Sequence, residues 1–201
     1  CLNEPIARQA NAEDNVTGHF WQSRFYSQAL LDESAVLSIM AYVDLNPIRA
    51  SIAETPETSD FTSVQQRIEE WQSRNTSKSE EAVPASESQK LDKTIVQLLR
   101  FSDDDGSTNK PTIPFSTADY LELVDWSGRA MVHSKSGSIP GQLPPILRRL
   151  NMSSDKYLAF VRKPKSGFAN ALGALEKLKE FARHFDKRFL KGQTAAAALF
   201  S

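Results

Sequence analysis

The chain has 201 residues, of which 40% are hydrophobic and 24% are charged, with 8 Gly and 10 Pro. This length and composition exclude collagen-like, repeat-dominated and wholly disordered chains. The single cysteine, Cys1, excludes an intramolecular disulfide framework and a cysteine-based zinc cage. No apolar run approaches the ~18 residues of a membrane span, and the N-terminus lacks a signal-peptide pattern and an initiator Met. We therefore predict a cytoplasmic protein without membrane contact, and we expect the chain to be the later part of something longer.

The formal net charge of −1 is unevenly distributed. Residues 1–75 hold 5 Lys/Arg against 11 Asp/Glu, whereas residues 146–201 hold 12 against 4. A basic C-terminal quarter behind an acidic front predicts an anionic partner for the tail, and nucleic acid is the usual candidate. Charge alone leaves open the alternative of a lysine-rich, solvated helix face.

The first elements follow from polarity, spacing and capping residues. Residues 1–18 are polar and aperiodic, which predicts a loop, and the aromatic residues over 19–28 predict a short extended segment. Apolar residues at helical spacing predict a helix over 33–45 with Asp32 as its N-cap. Asn46–Pro47 ends this helix and starts a short turn, with Asn46 as N-cap and Pro47 at the first helical position.

The rest of the chain is predicted to be helical on both sides of a linker. A helix over 63–74, capped by Asp60 or Thr62, precedes a Ser/Glu/Pro-rich linker over 75–90. The elements predicted after the linker are a helix over 91–100 and a turn at 103–106. A helix capped by Ser116 or Thr117 is then predicted through Trp126, followed by helices through Leu150 and Val161 and a long helix over 169–190. The chain is thus predicted to be mainly α, with one part over 1–74 and a basic helical part over 91–201.

Most common catalytic and metal-binding patterns are absent from the sequence. The three histidines, His19, His133 and His184, have no metal-ligand spacing between them, and there is no GxGxxG, GxxxxGK[ST] or GxSxG motif. The run Asp103–Gly106 begins like a calcium loop but lacks the required later Glu, so a solvated turn is the better interpretation.

The stretch around Tyr42 carries the clearest chemistry. Tyr42 lies near the end of a predicted helix and is followed by Asp44, Asn46–Pro47 and Arg49. A tyrosine hydroxyl attacks phosphorus when a metal or cations polarise the phosphate, and a helix fixes the direction of that hydroxyl. Spacing alone favours the alternative, a buried tyrosine with one hydrogen-bonded hydroxyl.

A family resemblance favours the interpretation of Tyr42 as a nucleophile. Residues 19–57 read HFWQSRFYSQALLDESAVLSIMAYVDLNPIRASIAETPE and resemble the second half of the IS200-like single-tyrosine transposase domain, especially the REP-associated tyrosine transposases. The family's W-Q-x-R-F element matches residues 21–25, and its Y-[IV]-x-x-N-P-[VI]-[RK] element matches residues 42–49. The resemblance implies that Tyr42 is the nucleophile. It also implies that residues 1–74 are the C-terminal half of an α+β, ferredoxin-like transposase domain, followed by a helical extension.

The resemblance further implies a divalent Mg or Mn ion, held by a His-hydrophobic-His motif that precedes the tyrosine. This chain contains no His-x-His, so we expect the metal to belong to the full-length parent and none to be bound by this chain. The parent would bind single-stranded or hairpin DNA, and Tyr42 would form a 5′-phosphotyrosine with release of a 3′-hydroxyl. The chain alone is expected to bind DNA without cleaving it.

Several residues are candidates for DNA contact or for positioning Tyr42. The predicted DNA-binding residues are Trp21, Arg24, Arg49, Arg162, Lys163 and Lys165, and the predicted positioning residues are Asn46 and Pro47. Trp21, Arg24 and the neighbouring Phe25 either contact DNA or support the sheet, and core packing is the alternative for the two aromatic rings. Arg49 either reaches phosphate or pairs with an acid such as Asp44. The cluster over 162–165 is expected on a loop, suited to backbone phosphates.

Two rival functions fit the same sequence. The first is a non-catalytic DNA-binding protein derived from such a transposase. The second is a helical interaction module whose basic tail meets an acidic protein. A remnant without a stable fold also stays open, as do the oligomeric state and the DNA target.

Overall fold

The computed structural model of the chain describes residues 2–21, 27–76, 98–104, 111–132, 144–163, 170–188 and 190–200. The helices in these ranges are α1 (Asn3–Glu13), α2 (Glu33–Asp44), α3 (Asn46–Arg49), α4 (Ser63–Thr76), α5 (Thr117–Val132), α6 (Pro145–Arg149), α7 (Ser154–Arg162), α8 (Leu175–His184) and α9 (Gln193–Leu199). Short 3-10 turns lie at Pro56–Thr58 and Ser102–Asp104. The predicted mainly α class is confirmed. No described helix is long and apolar enough to cross a membrane.

Two short strands, β1 (Ala29–Leu30) and β2 (Ala171–Leu172), pair in parallel. Ala29 lies opposite Ala171 and Leu30 opposite Leu172, so the pairing joins an early and a late part of the chain. Both β2 residues are buried, which places this small sheet against the hydrophobic core.

Asp32 links this strand pair to α2. Its Oδ1 accepts a hydrogen bond from the Ala35 N–H at 2.8 Å, so the predicted N-cap of α2 is confirmed. Its Oδ2 accepts the Ala174 N–H at 2.5 Å, at the junction of β2 and α8. A Cβ at Gly173 would lie 2.8 Å from the Asp32 carboxylate and 2.9 Å from Leu31 Cβ, so only glycine permits this close approach.

A single hydrophobic cluster receives side chains from most of the elements. Helix α5 contacts α2, α3, α4, α6 and α7, and therefore runs through the middle of the packing. The fully buried leucines of the cluster include Leu37, Leu45, Leu123, Leu147 and Leu172. The parts predicted over 1–74 and 91–201 thus contribute to one core, and the linker predicted over 75–90 lies almost wholly outside the described residues.

A polar cluster lies within this core: Asp44, Tyr120 and Tyr157 are buried, and Ser63 is part-buried. Asp44 is 2% exposed and accepts hydrogen bonds from Ser63 Oγ at 2.7 Å and from Tyr120 Oη at 2.5 Å. Burial raises the pKa of the Tyr120 phenol well above its usual value, and the negative charge of Asp44 adds to the effect. Burial likewise raises the pKa of Tyr157, and the Ser127 hydroxyl reduces this rise. Tyr157 Oη has no hydrogen-bond partner among the described residues.

We expect the fold to lose stability above about pH 10 because of these two phenols. Unfolded tyrosines ionise near their ordinary pKa of 10.0, whereas the native pKa values of Tyr120 and Tyr157 are higher. The folded state therefore binds more protons above pH 10, and stability is lost there as pH rises by about 1.4 kcal/mol per pH unit for each phenol. Below pH 10 these two groups leave stability unchanged.

Tyrosinate absorbance and circular dichroism, recorded together against pH, check this expectation. Two of the four tyrosines should ionise only as the helical signal disappears. Tyr157→Phe should remove about half of the alkaline slope. Ionisation of all tyrosines near pH 10 in a protein that keeps its helical signal would contradict it.

Two predicted elements at the chain ends are wrong, and one helix was missed. Residues 3–13 form helix α1 rather than a loop, and α1 has no buried residue. The long helix predicted over 169–190 is instead strand β2, then Gly173, then the shorter α8. Helix α9 was not predicted. In addition, Leu98–Arg100 are not helical, and the rest of the helix predicted over 91–100 lies outside the described residues.

The predicted starts of α4 and α5 are confirmed, whereas α5 continues to Val132, six residues beyond Trp126. Thr62 Oγ1 accepts the Gln65 N–H at 3.4 Å at the start of α4, and Ser116 Oγ accepts the Asp119 N–H at 3.0 Å at the start of α5. At the Asn46–Pro47 break the N-cap is Leu45, so the expectation that Asn46 caps α3 is wrong by one position. Asn46 is free to use its side chain elsewhere.

Candidate functional site

Tyr42 lies in the last turn of α2, partly buried and packed against the core. The Arg49 guanidinium stacks on its ring, with the guanidinium carbon 3.9 Å from the ring centroid. This is a cation–π contact, and it fixes both side chains on one side of the α2–α3 corner. Among the described residues, no hydrogen bond engages Tyr42 Oη.

Arg49 is held by two further contacts. Its Nη2 donates to the backbone carbonyl of Tyr42 at 3.2 Å and to Asn46 Oδ1 at 2.8 Å. Its Nε is buried and has no hydrogen-bond partner among the described residues. Of the two alternatives for Arg49, pairing with Asp44 does not occur, because the Asp44 carboxylate is taken by Ser63 and Tyr120.

The Asn46–Pro47 break makes this arrangement possible. Pro47 suits the first turn of α3 because its missing N–H needs no partner there. Its carbonyl accepts the Ile52 N–H at 2.9 Å, which closes the corner after α3. Tyr42, Asn46 and Arg49 thereby meet on consecutive turns of the chain, and we call these three residues the tyrosine cluster.

The described residues offer no metal site beside this cluster. Within the ranges given above, no group of three or more His, Cys, Asp or Glu residues is placed to hold a metal ion. His19 and His184 are both exposed, on separate segments, and His133 lies outside the described residues. The carboxylate nearest in sequence to Tyr42, that of Asp44, is buried and hydrogen-bonded.

Trp21 lies on the surface rather than in the core. Its side chain is 45% exposed and meets the edge of Phe20 at a centroid distance of 4.7 Å. Its Nε1 donates to the Asn3 carbonyl at 3.0 Å and so anchors α1. The core-packing alternative is therefore wrong for Trp21. Arg24 and Phe25 lie outside the described residues.

Arg162 and Lys163 are exposed at the C-terminal end of α7. The Arg162 Nη2 donates to the Ala130 carbonyl at 3.0 Å, and this carbonyl is one of the last in α5. A cation at a helix C-terminus is favourable, so Arg162 also has a structural role. Lys165 lies outside the described residues.

Sequence reasoning missed an exposed aromatic ring among the basic residues after α8. Phe185 falls within the long helix predicted over 169–190, but it lies just after α8 and its side chain is 54% exposed. Arg183, Lys187 and Arg188 around it are exposed as well. The sequence signal that could have identified it is an aromatic residue inside a run of cations, just after Ala182, the last apolar residue of the helix.

A groove of about 280 Å³ between α4 and α5 is a poor site for DNA. Its apolar lining includes Ile68, Trp71 and Leu121. Its charged lining residues are acidic, namely Glu57, Glu122 and Asp125. These carboxylates repel a phosphate backbone, so we assign no DNA contact to this groove.

In comparisons with protein-family models, curated proteins and solved structures, nothing matches this chain. The case for a function therefore comes from the motif residues, their packing and the distribution of charge. Of the predicted site residues, the structure brings together Tyr42, Asn46, Pro47 and Arg49 at one corner. It places Trp21 on a different segment and Arg162 and Lys163 at the end of α7.

Proposed function

We propose that the chain belongs to a DNA transposition protein of the single-tyrosine type. In this proposal the chain binds single-stranded or hairpin DNA and supplies Tyr42 to a longer protein that cleaves and rejoins a strand. The tyrosine cluster carries the proposal. A nucleophilic tyrosine needs a fixed ring and a nearby cation, and Arg49 contributes to both through its stacking and its bond to Asn46.

The proposed reaction conserves bond energy. Tyr42 Oη attacks the scissile phosphorus, the bond from phosphorus to the 3′-oxygen breaks, and the phenol proton passes to a base. The products are a 5′-phosphotyrosine and a free 3′-hydroxyl, and the reverse transesterification rejoins the strand without ATP. The described residues do not fit a divalent ion beside Tyr42, so we place Mg or Mn in another part of the longer protein.

A non-catalytic DNA-binding protein is the second candidate. The exposed cations at the ends of α7 and α8 favour it, because they serve binding whether or not Tyr42 reacts. Retention of the chain on single-stranded DNA at moderate salt would exclude the third possibility, an interaction module for acidic proteins. Formation of a covalent adduct separates the first two candidates.

Combined replacement of Arg162, Lys163 and Lys165 by alanine should weaken DNA binding and flatten its salt dependence. Each lost phosphate contact lowers the slope of log K against log salt by about 0.7 for single strands. Fluorescence anisotropy of a labelled hairpin, titrated at several salt concentrations, measures the slope. Thermal melting of the variant checks that loss of the Arg162 contact to Ala130 leaves the fold intact.

The matched control replaces Lys177 and Lys179, which are paired with Glu180 at 3.1 Å and Glu176 at 2.7 Å. These exposed pairs are not assigned to DNA, so the control should keep the wild-type slope. A triple variant with an unchanged slope would remove the cluster over 162–165 from the proposed interface.

A further inference from the structure

The end of α8 combines one exposed aromatic ring with several exposed cations. We call Arg183, Phe185, Lys187, Arg188 and Lys191 the C-terminal basic patch. Phe185 is 54% exposed, and the four cations, all within six residues of it in sequence, are exposed as well. An exposed aromatic ring next to several cations is the combination that single-stranded nucleic-acid sites use.

The backbone holds the patch in a fixed geometry. The Lys187 N–H donates to the Ala182 carbonyl at 2.9 Å, and the Asp186 N–H donates to the Arg183 carbonyl at 3.2 Å. Asp186 has φ of 51°, so the two bonds form a Schellman motif closed by a left-handed residue. The chain therefore reverses at once after α8, and Lys187 and Arg188 follow Phe185 around a tight corner.

Neighbouring rings orient Phe185. The Phe181 ring lies 4.8 Å away in a tilted arrangement and itself packs against the core. The His184 ring meets Phe185 edge-on at 4.9 Å. Phe185 therefore packs on one side against the Phe181 ring, while about half of its side-chain surface is exposed to solvent.

The cations of the patch differ from those earlier on α8. Lys177 and Lys179 form ion pairs with glutamates on the same helix. The described residues provide no such ion pair for Arg183, Lys187, Arg188 or Lys191, and Arg183 donates instead to the Lys179 carbonyl. The single acid inside the patch is Asp186, so a net positive field surrounds the ring.

We infer that the C-terminal basic patch is a stacking platform for an unpaired base of single-stranded nucleic acid. Phe185 receives the base, and the surrounding lysines and arginines contact the adjoining phosphates. The inference rests on the proposed function and adds a DNA-contacting surface to it. A lipid surface is a poorer partner, because the apolar face of α8 is already used: Leu178 is 0% and Ala182 is 3% exposed.

Phe185→Trp reports on stacking directly. The variant is titrated with a twelve-residue oligothymidylate, and its tryptophan fluorescence should be quenched beyond the signal of the three native tryptophans in the wild type. Phe185→Leu keeps an apolar side chain but removes the ring face, so its affinity should fall about 5- to 100-fold. Melting curves verify that both variants are folded.

The charges are tested with a triple variant, Lys187→Gln, Arg188→Gln and Lys191→Gln. Its matched control, Lys156→Gln, Lys177→Gln and Lys179→Gln, removes the same net charge from the same quarter of the chain. The patch variant should lower the salt slope for the oligothymidylate by about 2, and the control should leave the slope unchanged.

The outcomes separate this inference from the proposed function. If the wild type fails to bind the oligothymidylate or a hairpin at low salt, both fail. If the wild type binds, but Phe185→Trp shows no added quenching and the patch variant matches its control, only the stacking platform is overturned. Loss of binding to phosphatidylserine vesicles in the patch variant, with oligothymidylate binding intact, also overturns it in favour of a lipid surface.

Discussion

Asp44→Ala is expected to lower the free energy of unfolding by about 3–5 kcal/mol, a large share of the stability of an ordinary domain. The carboxylate is buried and accepts hydrogen bonds from Tyr120 Oη and Ser63 Oγ. Its removal leaves the buried Tyr120 hydroxyl and the part-buried Ser63 hydroxyl without an acceptor, at about 1–3 kcal/mol for a buried group, together with a small cavity. The substitution also disconnects α2 from α4 and α5 at the same point.

Urea denaturation followed by circular dichroism measures this change. Asp44→Asn keeps the size of the side chain and one acceptor oxygen, so its loss should be smaller. In the double variant with Tyr120→Phe, part of the loss should return, because one unsatisfied hydroxyl has gone. Asp155→Ala, an exposed carboxylate in the first turn of α7, is the matched control and should change stability by less than about 1 kcal/mol. An Asp44→Ala protein within that same range would contradict the expectation.

Tyr42→Phe is expected to abolish the covalent DNA adduct completely. The test protein joins this chain to a preceding segment that carries a His-hydrophobic-His metal site. Phenylalanine keeps the ring under Arg49 but lacks the oxygen that attacks phosphorus, so binding should stay within about twofold while the adduct disappears. A 3′-labelled hairpin substrate, resolved on a denaturing protein gel, shows the 5′-phosphotyrosine as a shifted band.

Three further proteins sharpen this result. Tyr26→Phe is the matched control and should keep the adduct. Arg49→Lys should slow adduct formation without removing it, because lysine keeps the charge but loses the planar stacking on Tyr42. The 201-residue chain alone, supplied with Mg²⁺ or Mn²⁺, should give no adduct. An adduct formed by the chain alone, or by Tyr42→Phe, would show that the proposed assignment of roles is wrong.

Helices with an apolar stripe and a polar cap were predictable from sequence. Asp32 before α2 and Ser116 before α5 are short polar residues whose side chains accept N–H groups of the first turn. Those signals lie within a few residues of the element that they start, so a single sequence contains them. The same locality made the tyrosine cluster predictable, because Tyr42, Asn46 and Arg49 are three and four residues apart.

Elements that depend on distant partners were not predictable. Helix α1 has no buried residue and carries a local ion pair, Arg8 with Glu4 at 2.6 Å, so burial against a core gives no sequence signal for it. Strand β2 lies in a stretch whose leucines have helical spacing that continues into α8, so the sequence pattern predicts one long helix. Only the pairing with β1 and the tight approach of Gly173 to Asp32 make residues 171–172 extended. The bond between Asp44 and Tyr120 spans 76 residues and has no local signature.

The parallel pairing of β1 with β2 also has a consequence during synthesis. The two strands, like the bond between Asp32 and Ala174, join residues 142 positions apart. A ribosome that adds 5–20 residues per second needs about 7–28 s to produce the second strand after the first. Until α5 and α7 are synthesised within that interval, α2 lacks the helices against which it packs in the finished protein, where Leu37 and Ala41 are buried. The part of the chain that is made first therefore exposes apolar surface for seconds, and during that time aggregation competes with folding.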